Sequence, residues 1–443
     1  MAIFLLLLLS LFVLFSPVLT DLTDAQVAVV KQRLAEGSQR RYSPCFYLGN
    51  VFNLVLCYSW ELGTRAQALL ELDSPRYSVT TPGAKLPPSN TNPPSSLTDV
   101  FTIARNVVSG RSPAGNTPQP FIEDGSAGDP PSVGVAVMLA NWTNQQSSDG
   151  QNYAQAIRNQ FNYLYTVPRT SDGAISHRPD QLQLWSDFIY MVPPFLAYYG
   201  IMTKNRSTVA ESYNQIRLYR KYLRDQGTDN LWKHMAFGDS QDTYHWSTGN
   251  GWAAAGMLRV LGTIKNSDYA GDLKNEQNDL IDWVLEIQDG MYKYLRSTSC
   301  FGNYADDDHS FDDAASATLL AATVYRLSTL AGNHKHIPLA ERTRIALTAR
   351  SNLGGGPSNG TFVSMVHFDA DGWLSPVVNP WLFGESGSKS PEAQAFVLMM
   401  QAGYQDWAQA GYSGANAGVR SAVPLSLLAS FAVGVALMLA LFQ

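Results

Sequence analysis

The stretch LWSDFIYMVPPFLAYYG, residues 184–200, carries apolar side chains at helical spacing with one acid, Asp187, near its amino end. The same periodicity recurs outward in both directions. Helices are expected near Ala25–Glu36, Ser59–Leu72, Ser132–Trp142, Asn152–Tyr165 and Leu184–Tyr199. Further ones fall near Ser207–Arg224, Asn250–Ile264, Asn275–Gln288, Asp313–Leu330, Leu339–Ser351 and Pro391–Ala408. Sustained period-2 alternation is scarce, so eleven or twelve helices without strand partners predict an all-α domain. Connections such as Gly200–Asn205 and Asn266–Asp272 are short. Ser78–Ser96, Ser109–Pro131 and Gly354–Thr361 are long and rich in Gly, Pro, Ser and Asn. Alternating short and long links suit stacked helical hairpins with the long loops gathered on one rim. No strict repeat is present, so the hairpins are divergent. Ser78–Pro131 is read as a loop region capping one end.

The 443 residues are 45% hydrophobic and 15% charged, which excludes a disordered tail, a coiled coil or a collagen-like fibre. Net charge is −6 with no basic block, so nucleic acid is not an expected partner. Three cysteines, Cys45, Cys57 and Cys300, are too few for a disulfide scaffold and show no C-x-x-C spacing. In an oxidising compartment Cys45 and Cys57 could pair locally.

Both ends read as addresses. Residues 1–20 lack charge and carry a Leu/Phe run, as a secretory signal does, which starts the folded domain (21–410) at Asp21. Residues 411–443 offer small residues at Ser413, Gly414 and Asn416, a spacer, and an apolar tail from Pro424 with no basic flank. That order matches a GPI-attachment signal, so a lipid anchor at the cell surface is expected. Sequons at Asn141, Asn205 and Asn359 fit a secretory route and are candidate glycosylation sites.

Three clusters could carry chemistry. In the first, Asp172–His177 precedes the apolar stretch holding Asp187. Burial among Trp, Phe, Ile, Tyr and Met disfavours the charged carboxylate and suits a general acid, whereas Ser186 or Asp187 could equally cap the helix. The second runs from Trp232 through His234 and Asp239 to Tyr244–Trp252. There Trp246 and Trp252 bracket a Gly-Asn-Gly turn, and flat rings of this kind stack on sugars. Each Trp is also an ordinary core residue. The third, Asp306–Asp313, lacks the glycine and terminal Glu of an EF-hand; helix capping, substrate contact and a metal are its three readings. No zinc-protease, α/β-hydrolase or kinase motif occurs.

With D-G-A-I-S-H at 172–177, L-W-S-D-F-I-Y-M-V-P-P-F at 184–195, W-S-T-G-N-G-W at 246–252, D-D-A-A-S-A-T-L-L at 312–320 and S-P-E-A-Q-A-F at 390–396, the chain resembles glycoside hydrolase family 105, the unsaturated rhamnogalacturonyl hydrolases. It is more distantly similar to family 88, the unsaturated glucuronyl hydrolases. The resemblance runs from about Asn141 to Trp407. It implies an (α/α)6 toroid of six helical hairpins and a substrate whose terminal uronic acid carries a C4=C5 double bond. It places the general acid/base on Asp187, with His177, Trp185, His234, Asp239, Trp246, Asn250 and Trp252 as substrate-binding candidates. Neither a metal nor an organic cofactor is called for. Thr248 departs from the pattern: family members show an arginine there, and a guanidinium is the natural clamp for a sugar carboxylate. Asp129 is a candidate second carboxylate.

These readings predict a secreted, surface-anchored glycosidase acting on oligosaccharides. The alternatives are a cell-wall glycan hydrolase or transglycosidase, and a glycan-binding surface protein without turnover.

Overall fold

The computed structural model describes residues 21–40, 58–350, 362–379 and 382–415. The expected signal segment, most of the expected attachment signal, Asn359 and the pair Cys45 and Cys57 lie outside these residues. Among the described residues no helix is long and apolar enough to cross a membrane.

Twelve helices form the frame. They are α1 (Asp24–Arg40), α2 (Ser59–Asp73), α3 (Thr98–Ser109), α4 (Gly134–Trp142), α5 (Tyr153–Tyr163) and α6 (Phe188–Met202). The rest are α7 (Arg206–Leu223), α8 (Ser247–Lys265), α9 (Lys274–Met291), α10 (Ala314–Ala331), α11 (Ile337–Thr348) and α12 (Pro391–Gln409). The even-numbered helices form an inner ring: α6 packs on α8, α8 on α10, α10 on α12 and α12 on α2. The 3-10 turn Pro130–Val133, which leads into α4, closes the ring between α2 and α6. The odd-numbered helices pack outside, α1 on α12, α7 on α6, α9 on α8 and α11 on α10. This is an (α/α)6 toroid.

Sequence pattern decides which ring a helix joins. The outer α7 buries Val209, Ile216, Tyr219 and Leu223 along one stripe and leaves its other face polar. The inner α6 is apolar nearly all round, with the successive residues Phe188, Ile189, Tyr190 and Met191 all buried although they point to different sides. Pro193 and Pro194 lie inside it. Proline has no N–H, so these two deny Ile189 and Tyr190 the donors their carbonyls would use in a regular helix. The neighbouring α8 compensates. Buried Arg259 donates to the Tyr190 carbonyl at 2.7 Å. Gly256 lies so close that a Cβ there would stand 2.1 Å from the Ile189 oxygen, so only glycine lets α8 approach this surface.

The segment Ser78–Pro131 is not only loop, because it contains the outer helix α3. Val100, Ile103, Ala104 and Val107 are its buried stripe, at the i, i+3, i+4, i+7 spacing of an amphipathic helix. The strands are three short antiparallel ribbons. β1 (Leu184–Trp185) pairs with β2 (Met235–Ala236), β3 (Phe301–Gly302) with β4 (Asp312–Asp313), and β5 (Val377–Asn379) with β6 (Leu382–Gly387).

Candidate active site

The inner helices bring their amino ends to one end of the toroid, around a cavity of about 510 Å³. Trp60 comes from the first turn of α2, Asp187 from the residue before α6, Trp246 from the residue before α8 and Glu392 from the first turn of α12. Asp129 stands before the 3-10 turn that leads into α4 and also lines the cavity. Helix amino ends carry partial positive charge, which favours the carboxylates gathered there.

Asp187 occupies the position before α6, yet its side chain makes no capping bond. Its Oδ1 accepts instead from the Ser186 hydroxyl at 3.1 Å. Burial raises its pKa above the ordinary aspartate value, and the nearby Asp129 adds to the rise; charge on His234 and His177 and the Ser186 bond oppose it. A carboxyl so placed retains its proton to higher pH than an exposed one, which suits a group that must donate it.

Aromatic rings complete the wall. His177 stacks on Trp185 with centroids 4.8 Å apart, and Trp185, Trp246 and Phe383 surround the ring of His234. The β1–β2 pairing sets this up, placing Trp185 opposite Met235 and so beside His234. The Trp185 indole N–H is fixed on Gln183 at 2.8 Å and that of Trp246 on Asn303 at 3.1 Å. Such anchored, amphipathic rings are the surfaces on which sugar C–H faces stack.

Of the residues singled out from sequence, the fold brings Asp187, Asp129, His177, Trp185, Trp246 and Trp252 to the cavity wall. His234 is fully buried, just behind the aromatic wall. Two others are not brought there. Asp239 is solvent-exposed in the loop after β2, where its N–H donates to Gln181. Asn250 is wholly buried within α8, its amide spanning the backbones of Trp232 and Trp246. The Gly-Asn-Gly sequence is therefore helix rather than turn. Gly249 is needed because a Cβ there would stand 2.3 Å from Ser186 Oγ. In the acidic run, Asp313 caps α10 through the N–H groups of Ala315 and Ser316, while Asp306 holds His245 and Asp312 pairs with Arg296.

The cavity also contains residues not singled out from sequence: Tyr58, Trp60, Asp124, Arg178, Phe383 and Glu392. Asp124 accepts from the N–H and hydroxyl of Ser59, at 3.0 and 2.5 Å. Burial, then the neighbouring Asp129, lifts its pKa to about 6. Glu392 accepts from the Trp60 indole at 3.0 Å, and burial raises it to about 8, with Glu61 adding to the rise. Glu392 lay in plain sight within S-P-E-A-Q, but nothing local linked it to Asp187, which is two hundred residues away.

A carboxyl whose pKa is higher folded than unfolded favours folding while it is protonated. Stability then falls as pH rises from the ordinary glutamate range through about 8, where the folded group ionises. Thermal melts should accordingly show Tm falling over that window, with a shallower slope in Glu392→Gln. An unchanged slope would show that Glu392 is already ionised at acidic pH.

The model for Glycosyl Hydrolase Family 88 matches residues 132–322, a span that includes His177, Asp187, His234 and Asp313. No curated protein matches the chain. Among solved structures, the chain is similar to a possible member of the GH105 family from Salmonella enterica serovar Paratyphi A. That match has a TM-score of 0.61 at 14% identity and covers 85% of this chain and 93% of the other. A possible GH105 member from Klebsiella pneumoniae is alike at TM-score 0.61 and 15% identity, over 86% and 92% of the two chains. The unsaturated glucuronyl hydrolase from Bacillus sp. GL1 gives a TM-score of 0.52 at 11% identity, over 85% and 94%. At these identities the likeness is one of fold, and it agrees with the six-hairpin resemblance seen in the sequence.

Proposed function

We propose that the protein is a six-hairpin glycoside hydrolase that binds an oligosaccharide end in the cavity and uses Asp187 as general acid/base. The observation that carries this reading is the Asp187 side chain, which has no capping bond, has its pKa raised by burial, and faces a cavity walled by aromatic rings. The family match, which includes Asp187, supports it. For a terminal unsaturated uronate, Asp187 would protonate the enol ether and a water would add at the adjacent carbon. Asp187 would recover a proton from that water, and the resulting hemiketal would collapse to release the next sugar. This chemistry needs one acid/base and a positioned water, whereas ordinary glycoside hydrolysis uses a carboxylate pair.

The identity of the sugar turns on charge. Thr248 is buried and donates to Asp313 at 2.8 Å, so position 248 presents no cation to the cavity. Arg178 lines it instead, its guanidinium 4.7 Å over the Trp185 ring and bonded to the Gly125 carbonyl. A sugar carboxylate would be met by Arg178. The carboxylates Asp124, Asp129, Asp187 and Glu392 around the same cavity favour a second reading, an uncharged wall glycan.

A screen of tail-truncated protein on lyase-digested and on saturated oligosaccharides separates the two. Loss of the unsaturated-uronate absorbance is the expected result. Product release from saturated glycans alone supports the wall-remodelling reading. Binding without turnover on any substrate overturns the enzymatic reading in favour of a glycan-binding protein.

We further propose that this activity lies outside the cell. The signal-like residues 1–20 and the attachment-like residues 411–443 support secretion and a C-terminal lipid anchor, and release by a phosphatidylinositol-specific phospholipase tests the anchor. Asn141 and Asn205 are exposed, as glycan acceptors must be.

A further inference from the structure

The ring of His234 is held from outside the cavity. Its Nδ1 lies 2.9 Å from Asp242 Oδ2, which also accepts from the Tyr304 hydroxyl at 2.7 Å. Asp242 Oδ1 accepts from the Tyr244 N–H at 3.1 Å. Backbone bonds from His234 N to Tyr244 O and from Met235 N to Asp242 O pin the two residues face to face. Burial alone would raise the Asp242 pKa, but the bonds from His234, Tyr304 and Tyr244 outweigh it and hold the group below the usual aspartate range. An ionised carboxylate is an acceptor only, so the hydrogen between the pair sits on Nδ1, and in the neutral form of the ring Nε2 is the nitrogen that carries the lone pair.

That Nε2 is buried and has no hydrogen-bond partner among the described residues. The groups packed around it do not supply a donor. The Trp185 and Trp246 indoles are committed to Gln183 and Asn303, the Ser186 hydroxyl donates to Asp187, and Phe383 has none to give. The Trp185 and Trp246 rings that flank His234 line the same cavity as Asp187, which places the imidazole directly behind that wall. A buried acceptor costs free energy unless a donor reaches it, and the cavity side of the aromatic wall is where one can arrive.

We propose that Asp242 is a positioning residue: it locks His234 as the Nδ1–H tautomer, so that Nε2, at the Trp185–Trp246 wall of the cavity, accepts a hydroxyl hydrogen from the bound sugar. This role rests on the reading of Asp187 as acid/base. Asp242 touches no substrate and acts through the imidazole, as the orienting carboxylate of a catalytic triad does.

Two arms test it. Long-range nitrogen–proton NMR on the full chain labelled at histidine, with His234 assigned through His234→Gln, reads the tautomer without any substrate. Nδ1–H is expected in the parent and Nε2–H in Asp242→Asn, whose amide N–H turns Nδ1 into the acceptor. Protonated Nε2 in the parent overturns the proposal. In the second arm, on whichever glycan the screen identifies, Asp242→Asn should lose about 10²-fold in kcat/KM, a loss typical of a mutated orienting partner. Adding Asp242→Asn to His234→Gln should cost nothing more, because the carboxylate works only through that ring. Additive losses would make Asp242 a purely structural residue. Failure of the parent to turn over any glycan sinks the enzymatic reading and leaves the tautomer result standing, so the two failures are distinguishable.

Discussion

Asp187→Asn is expected to lower kcat by about 10²–10⁴-fold, the range for losing a positioned general acid/base, while the protein stays folded. The amide is nearly isosteric and keeps an oxygen for the Ser186 hydroxyl, but it has no proton to deliver to an enol ether or a glycosidic oxygen. Stability should not suffer. Asp187 makes no bond to the first turn of α6, so no cap is lost. Because burial raises its pKa, the ionised carboxylate is a cost to the folded state that grows as pH rises above the ordinary aspartate value. The variant should therefore melt at or above the parent temperature at neutral pH and match it in acid, the usual opposition of activity and stability at a working site. Activity measured by product formation and Tm by circular dichroism check both halves. Full activity in Asp187→Asn would remove the acid/base assignment, and a large drop in Tm would make the side chain a structural one.

Helix positions were legible because helical burial leaves a local period, and eleven of the twelve frame helices carry it plainly. The exception, Thr98–Ser109, has its apolar stripe but lies between Pro- and Ser-rich loops that mask the signal. The closure of the ring was less visible. An inner helix such as Phe188–Met202 is apolar on nearly every side, so its pattern says that it is buried without saying against which partners. The site divides the same way. His177, Trp185 and Asp187 fall within eleven residues of each other, and crowding of rings and acids in one stretch marked them. Trp60, Asp124, Phe383 and Glu392 arrive from other hairpins through the ring geometry, and no local spacing announces such a meeting. Asn250 misled for the opposite reason: two flanking glycines resemble a turn, whereas here Gly249 lets a helix run close to Ser186 and Gly251 lets it run close to Leu319.

Ring closure rests in part on a buried ion cluster, and breaking it should give the largest loss of stability. Arg326 of α10 donates to Glu71 of α2, through Nη2 at 2.8 Å and Nε at 3.1 Å, and pairs with Asp406 of α12 through Nη1. The three helices belong to the first, fifth and sixth hairpins, so the cluster spans the seam where the last hairpin packs on the first. Arg326 and Glu71 side chains are only 4% and 5% exposed, which leaves no water to take the place of a missing partner. Arg326→Met should destabilise by about 3–5 kcal/mol, because Glu71 is then left charged and unpaired apart from its bond from Gln67. A second change, Glu71→Leu, removes that stranded charge and should recover most of the loss, since an apolar pair of similar volume commonly replaces a buried ion pair at little cost. Urea unfolding of the two single variants and the double variant measures the coupling. If the double variant is less stable than either single one, the seam is held by packing around these side chains rather than by their charges.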